Sequence, residues 1–187
     1  MDIRQIIEQA QEGSLDAFEA LLTHHEKRLL AQAIVLCGNE STGMDLAQET
    51  LIEAWKSIRR FNHTCRFSTW LYAILMNRYR KMLRRQRSRP TLTLIEPPEE
   101  ALPRVGTTPA ETFQSLETAQ TVASWLEALP ESQRDVVRMR FFGEADLQDI
   151  AAALDCSVGT VKSRLFYGLK ALRKKLKTHE PFPAERA

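Results

Sequence analysis

Three features of this 187-residue sequence predict an all-α protein of two small helical domains joined by a Pro-rich acidic linker, the second domain containing a helix-turn-helix. Apolar residues recur three and four apart over most of the chain, the spacing of an amphipathic helix. No stretch alternates with the period of two that a half-buried strand requires. Five of the eight prolines fall between Pro90 and Pro109, dividing the helical pattern in two. A composition of 43% hydrophobic and 27% charged residues belongs to a globular chain.

The elements follow in order. Ile3, Ile6 and Ile7 begin a first helix, Gly13-Ser14 interrupts it, and Phe18, Leu21 and Leu22 mark a second. Leu29, Leu30, Ala33 and Ile34 make a third, ended by the turn cluster Gly38–Gly43. A helix is predicted from about Met44 to Ile58, with Ala47, Leu51, Ala54/Trp55 and Ile58 on its buried face. Phe61–Phe67 reads as a loop, after which Ser68 or Thr69 can cap a helix reaching about Arg87. Proline fixes φ and lacks a donor, so 90–111 is a linker. Thr108 as cap, Pro109 at the first helical position and Glu111 three beyond the cap restart helix, which runs to about Leu129 before Pro130. Val136–Phe142 is a further helix stopped by Gly143. The domains are then 1–89 and 112–178, followed by a tail over 179–187.

Charge is distributed unevenly. Residues 1–89 carry 14 basic and 10 acidic side chains, 90–118 carry 1 and 5, and 119–187 carry 11 and 9. Arg78–Arg89 holds seven basic residues in twelve, and Lys162–Lys177 seven in sixteen, neither run containing an acid. Two basic patches divided by an acidic connector suit a polyanionic partner. The longest uncharged stretches, Leu29–Asn39 and Phe67–Asn77, fall short of the ~20 apolar residues of a membrane span, and no signal peptide opens the chain. A cytosolic protein without membrane insertion is expected. Cys37, Cys65 and Cys156 lack CxxC spacing, and His24, His25 and His63 lack ligand partners, so no metal or other cofactor is expected. Without a phosphate-binding Gly loop, paired catalytic carboxylates or a nucleophile elbow, an enzyme is disfavoured.

Asp146–Lys177 is the most specific segment. Asp146 can cap a short helix, Leu147–Leu154, whose buried side is Leu147, Ile150, Ala151 and Leu154. Asp155-Cys156-Ser157 makes a sharp turn, with Asp155 at a position where a left-handed residue is often needed. Ser157 caps a second helix with Val158, Val161, Leu165, Leu169 (or Leu172) and Leu176 inward. This is a helix-turn-helix layout. Ser157, Thr160, Lys162, Ser163, Arg164 and Tyr167 can then reach base edges in a major groove, while Lys170 and the basic residues beyond it neutralise phosphates.

Ser157-Val158-Gly159-Thr160-Val161-Lys162-Ser163-Arg164-Leu165 resembles the recognition-helix motif of bacterial RNA polymerase sigma factors of the extracytoplasmic-function (ECF) group. Leu129-Pro130, followed by Arg134 and Val136, resembles the opening of the same domain. Asp45–Trp55 resembles the family's core-polymerase-binding segment, and Phe67–Tyr72 the start of its promoter-melting helix. The motifs occur in the family's order and cover about residues 15–177 apart from the linker. Three departures stand out: His63 where many relatives have Gly, Asp155 for the commonest Gly, and Gly143-Glu144 in place of an acid followed by Gly.

The resemblance implies a sigma factor that binds core RNA polymerase and promoter DNA and is held by an anti-sigma factor. It places polymerase docking on Asp45, Gln48, Glu49, Glu53 and Lys56. It places capture of a flipped base of the minus-ten element on the loop Asn62, His63, Thr64, Cys65 and Arg66; Asn77, Arg80, Lys81 and Arg84, at i, i+3, i+4 and i+7, share one helical face by their spacing and suit a phosphate track. The minus-35 element falls to Ser157, Thr160, Lys162, Ser163, Arg164, Tyr167 and Lys170. The residues alone leave open a stand-alone helix-turn-helix regulator, and a module that sequesters a partner without touching DNA.

Overall fold

A computed structural model describes residues 2–88 and 121–178. The expected linker, the helix start at Thr108-Pro109 and the tail lie outside the described residues. The first group of helices is α1 (Ile3–Gln11), α2 (Leu15–Thr23), α3 (Glu26–Cys37), α4 (Glu40–Ser57), a single 3-10 turn (Ile58–Arg60) and α5 (Phe67–Ser88). The second is helical over 121–127 (α6), then α7 (Glu131–Phe141), α8 (Leu147–Ala153) and α9 (Val158–Thr178). There is no strand among the described residues.

Short polar side chains start these helices by accepting from otherwise orphaned amides. Ser14 Oγ accepts from Ala17 N at 3.2 Å, Asn39 Oδ1 from Thr42 N at 2.9 Å, and Asp146 Oδ1 from Asp149 N at 2.8 Å. The Asn39 cap corrects one expectation. The turn cluster contracts to Gly38-Asn39, Gly38 closing α3 at φ 65°, and α4 begins at Glu40 rather than Met44. Gly43 sits inside α4 because a Cβ there would lie 2.7 Å from the Ile34 Cα of α3. The two backbones approach too closely for any side chain. Two further starts shift. α5 begins at Phe67, the Arg66 carbonyl accepting from Thr69 N and Trp70 N at 3.0 Å, so Ser68 and Thr69 lie within its first turn rather than before it. α7 begins at Glu131, five residues ahead of the expected Val136, because the Pro130 carbonyl already accepts from Gln133 N and Arg134 N.

α1 and α2 form a hairpin that buries Ile7, Ala10, Phe18 and Leu21, with Phe18 against Trp55 of α4 (ring centroids 5.1 Å). Gln11 Nε2 donates to the carbonyls of Ile58 and Phe61, at 3.1 and 2.6 Å, anchoring the loop that leads into α5. Ile3, expected inward, is half exposed at the chain's outer end. In the second group, Leu126, Leu129 and Val137 make a small core, flanked by Leu165 and Leu172 of α9. Arg134 and Arg138 both grip the Glu127 carboxylate, Arg138 at 2.8 Å, which clamps α6 onto α7. Leu176, expected inward on α9, is exposed.

The two groups share one apolar core, which runs from Ile7 and Phe18 through Leu71, Leu75 and Met76 to Val136, Met139, Ile150 and Val161. Replacing Gly43 by Ala should lower the unfolding free energy by about 1–3 kcal/mol, the usual cost of forcing a methyl into a packed contact. Urea denaturation followed by circular dichroism measures it.

Candidate nucleic-acid interface

The helix-turn-helix is assembled by local geometry. Asp146 caps α8, Cys156 N returns to the Ala151 carbonyl at 3.0 Å, and Asp155 takes a left-handed conformation at φ 49°. Ser157 Oγ accepts from Thr160 N at 3.1 Å and lies 2.9 Å from the Thr160 hydroxyl. Ala151 and Val161 are buried where α8 and α9 cross. The helix therefore presents Ser157, Lys162, Ser163, Tyr167 and Lys170 to solvent, with Thr160 and Arg164 partly covered. Ser157 is engaged in capping as well as standing at the exposed end. Phe166, not singled out from sequence, is also exposed and meets Tyr167 edge to face at 5.4 Å.

The second region is the loop before α5. Asn62 Oδ1 accepts from the Thr64 amide and hydroxyl, at 3.2 and 2.7 Å, forming a tight local turn. His63 at its apex has φ 59° and rests its ring 4.8 Å from Phe61. Phe61 and Phe67 are core residues, and Trp70, partly buried, packs on both. The Cys65 thiol is pushed up to about 11, mainly by burial and then by the nearby Asp149 carboxylate. The three non-glycine residues with left-handed φ among the described residues are His63, Glu144 and Asp155. Those are the places where the sequence departs from the Gly pattern, so the backbone keeps the turn and the chain carries its strain.

α5 does not present its polar residues as a single face. Asn77 and Arg80 line a cleft of about 480 Å³ between α5 and the second group, together with Glu131, Asp135 and Arg164. Lys81 instead lines a groove of about 580 Å³ between α4 and α5, facing Asp45 and Glu49. Arg80 and Lys81 flank Asn77 on either side, 100° apart around the helix, and with helices packed on both sides of α5 that angle is enough to put them in different grooves.

Carboxylates of the second group meet the basic residues of the first. Arg66 donates through Nε to Asp149 Oδ2 at 2.5 Å and through its backbone amide to Oδ1 at 3.2 Å. The Thr69 hydroxyl donates to the same Asp149 oxygen at 3.2 Å. Arg80 donates to Asp135 at 2.8 Å and Glu131 at 2.9 Å, and Arg84 lies 3.6 Å from Glu131. Arg80's hydrogen bond holds the Glu131 carboxyl below its usual range. Burial pushes Asp135 up despite the neighbouring guanidiniums. Sequence reasoning did not single out Thr69, Glu131, Asp135 or Asp149 as members of this contact. For Asp135 and Asp149 the signal was an acid on an otherwise apolar helix face, which periodicity alone reads as solvent exposure.

On α4, Asp45, Gln48, Glu49 and Lys56 are exposed and Glu53 is partly covered. Arg78 reaches Glu49 at 2.5 Å and Glu53 at 3.7 Å, so this surface is less acidic than the sequence suggests. Ile52 stands 55% exposed among these residues, an apolar centre that the sequence reading did not single out.

Comparison with known proteins accounts for both regions. The family described as Sigma-70 region 2 matches residues 21–89, and Sigma-70, region 4 matches 125–174. The ECF RNA polymerase sigma factor SigW of Bacillus subtilis (strain 168) is 31% identical over 183 residues, covering 95% of this chain and 98% of that one. The ECF RNA polymerase sigma-E factor of Escherichia coli (strain K12) is 30% identical over 180 residues, covering 91% and 92%. Among solved structures, the sigma factor RpoE of Bartonella quintana, in complex with the anti-sigma factor NepR, superposes with a TM-score of 0.61 at 25% identity, covering 89% of this chain and 100% of that one. CnrH, in complex with the cytosolic domain of CnrY, shares the fold with a TM-score of 0.67 at 24% identity, covering 96% and 100%. With regions 2 and 4 matched in order and relatives aligned over nine-tenths of both chains, the protein belongs to the ECF group of the sigma-70 family of RNA polymerase sigma factors.

Proposed function

We propose that this sigma factor docks on core RNA polymerase through α4, reads the minus-35 element with α9 and captures the melted minus-ten strand with the 62–66 loop and α5. As a sigma factor it directs promoter recognition and transcription initiation. It does so in the cytoplasm as a non-catalytic subunit: the chemistry of RNA synthesis belongs to the polymerase, and sigma supplies binding energy and geometry. The domains are read as 1–89 for polymerase and minus-ten binding and 112–178 for minus-35 binding, with 90–111 as the tether. The region 2 match leaves a stand-alone helix-turn-helix regulator without support, since such a protein has no use for a polymerase-docking unit.

The observation that carries the reading is the exposed N-terminal end of α9, capped by Ser157 and presenting Lys162, Ser163, Tyr167 and Lys170 beyond a well-formed turn. In a helix-turn-helix this end enters the major groove, where side chains reach base edges while the basic residues further along meet phosphates. On α4, Asp45, Gln48, Glu49, Glu53 and Lys56 surround Ile52. An apolar centre with a charged rim is the usual anatomy of a docking patch, the charges setting register and encounter rate. In the 62–66 loop, Asn62, His63, Thr64, Cys65 and Arg66 stand beside the aromatic cluster, arranged to receive a base removed from the stack at a cost of a few kcal/mol. Asn77, Arg80, Lys81 and Arg84 contribute positive or polar contacts along α5. The partners are core RNA polymerase, promoter DNA and an anti-sigma factor, the last by analogy with the RpoE relative solved with NepR.

Run-off transcription with purified core polymerase tests the function directly: specific transcripts are expected only when this chain is added. Charge reversal at Asp45 and Glu49 should weaken holoenzyme assembly about tenfold or more while circular dichroism stays unchanged. Assembly at the wild-type level would remove α4 from the docking role. With four to six phosphates neutralised, doubling the salt concentration should weaken promoter binding by the holoenzyme about 10- to 40-fold, and an affinity indifferent to salt would contradict the phosphate contacts.

A further inference from the structure

The loop Asn62–Arg66 is held at its entrance by α1, an element that neither DNA nor polymerase binding has so far required. α1 packs on α2 and on the 3-10 turn Ile58–Arg60, with Ile7 and Ala10 buried on its inner face. Gln11, the last residue of α1, is half-buried there. Its Nε2 donates to the Ile58 carbonyl at 3.1 Å and to the Phe61 carbonyl at 2.6 Å, which uses both amide hydrogens. The Ile58 carbonyl also accepts from Phe61 N at 3.0 Å, so the turn closes by its own backbone. The bond from Gln11 to Phe61 is additional to that closure, and it falls on the peptide that leads into the loop.

A peptide unit is planar, so fixing the Phe61 carbonyl fixes the direction in which Asn62 leaves. Each following residue is set by the one before it. Asn62 Oδ1 accepts from the Thr64 amide and hydroxyl, and His63 sits between them at φ 59°. The His63 ring rests on Phe61, which is buried against Phe67 and Trp70. Asn62, His63 and Thr64 are exposed, so apart from that ring contact backbone geometry sets where they stand. Both Gln11 bonds end on backbone carbonyls and occupy no side chain of the loop. Gln11 also lies outside 21–89, the segment matched to Sigma-70 region 2.

We infer that Gln11 is a positioning residue for minus-ten recognition: by holding the Phe61 carbonyl it sets the direction of the loop, and with it the base preference of Asn62–Arg66. A misplacement of about 1 Å in a group that must meet its partner at hydrogen-bond distance costs tenfold or more. This rests on the minus-ten assignment made above, and it adds a residue of α1 that acts through the backbone.

The test uses holoenzyme assembled from core polymerase and the full chain, with a duplex DNA library of random sequence from which bound duplexes are selected and sequenced. The wild type defines its own minus-ten and minus-35 preferences. Gln11→Met keeps the length and apolar stem of the side chain and removes both donors. Gln11→Glu keeps the shape and offers only acceptors at neutral pH, so it repeats the loss independently. Gln11→Lys restores donors, its ammonium reaching the same two carbonyls. All three should keep their helical circular dichroism and assemble with core polymerase as the wild type does, because α4 is untouched. Gln11→Met and Gln11→Glu should lose about tenfold in discrimination at the minus-ten element and none at the minus-35 element, while Gln11→Lys retains most of it. A role confined to stability would lower the amount of DNA retained without changing which bases are retained. An unchanged minus-ten preference in Gln11→Met and Gln11→Glu, an equal loss at both elements, or a Gln11→Lys variant as indiscriminate as Gln11→Met would overturn the inference.

Asn62→Ala in the same selection separates the two readings. If it leaves the minus-ten preference unchanged, the loop assignment fails and the role of Gln11 falls with it. If it alters that preference while Gln11→Met and Gln11→Glu do not, the assignment stands and the positioning role alone is wrong.

Discussion

Helix α5 carries more apolar surface than one group of helices can cover, and the architecture follows from that excess. Phe67, Leu71 and Leu75 are buried, and so are Tyr72, Met76 and Tyr79, on a helix whose second half is dominated by arginine and lysine. A single helix face spans three or four residues in every two turns, so burial this broad requires neighbours on opposite sides. The first group supplies one set in α3 and α4, and the second supplies the other in α7 and α8. Separating the groups would uncover residues such as Tyr72 and Met76, each 2% exposed in this structure. At about 25 cal/mol per Å² such exposure is costly.

Polar contacts determine how the second group seats on this apolar spine. The apolar area is non-directional, whereas Arg66 with Asp149 and Arg80 with Asp135 and Glu131 permit one alignment. Leaving any of these groups unpaired at a buried contact would cost more than the pair itself contributes, so the ion pairs act chiefly against misplacement. The Tyr72 hydroxyl and Asp135 Oδ1 have no protein partner in this arrangement, which marks the contact as less completely satisfied than the helix hairpins on either side. Burial raises the Tyr72 phenol well above its ordinary range and leaves it neutral.

The turns show a second economy. His63, Glu144 and Asp155 all hold left-handed backbone that glycine would adopt more cheaply, and each sits in a loop beside a proposed contact surface. At His63 and Glu144 the side chain does something glycine cannot. The His63 ring covers Phe61, and the Glu144 carboxylate reaches Arg28 across the group boundary at 3.0 Å. Local strain of order 1 kcal/mol per residue is accepted where the side chain gains a contact.

Much of the fold and part of the site were legible in the residues themselves. Apolar spacing located the helices, Asp146 and Ser157 announced the caps of the helix-turn-helix, and Asp155 was recognisable as its left-handed turn, because each depends on interactions within a few residues. Boundaries moved where a cap was not recognised: α4 extends back to the Asn39 cap, with Gly43 admitted inside it by the close approach of α3, and α7 extends back to Pro130. The face of α5 was misread for the same kind of reason, since spacing places Arg80 and Lys81 side by side while packing sends them into different grooves. By itself, then, the sequence determined the helices, their caps and the order of the two regions, all products of short-range geometry. Only the tertiary structure decided that the acids of one region meet the arginines of the other, because contacts between residues some eighty positions apart are set by which surfaces remain uncovered once the local elements have formed.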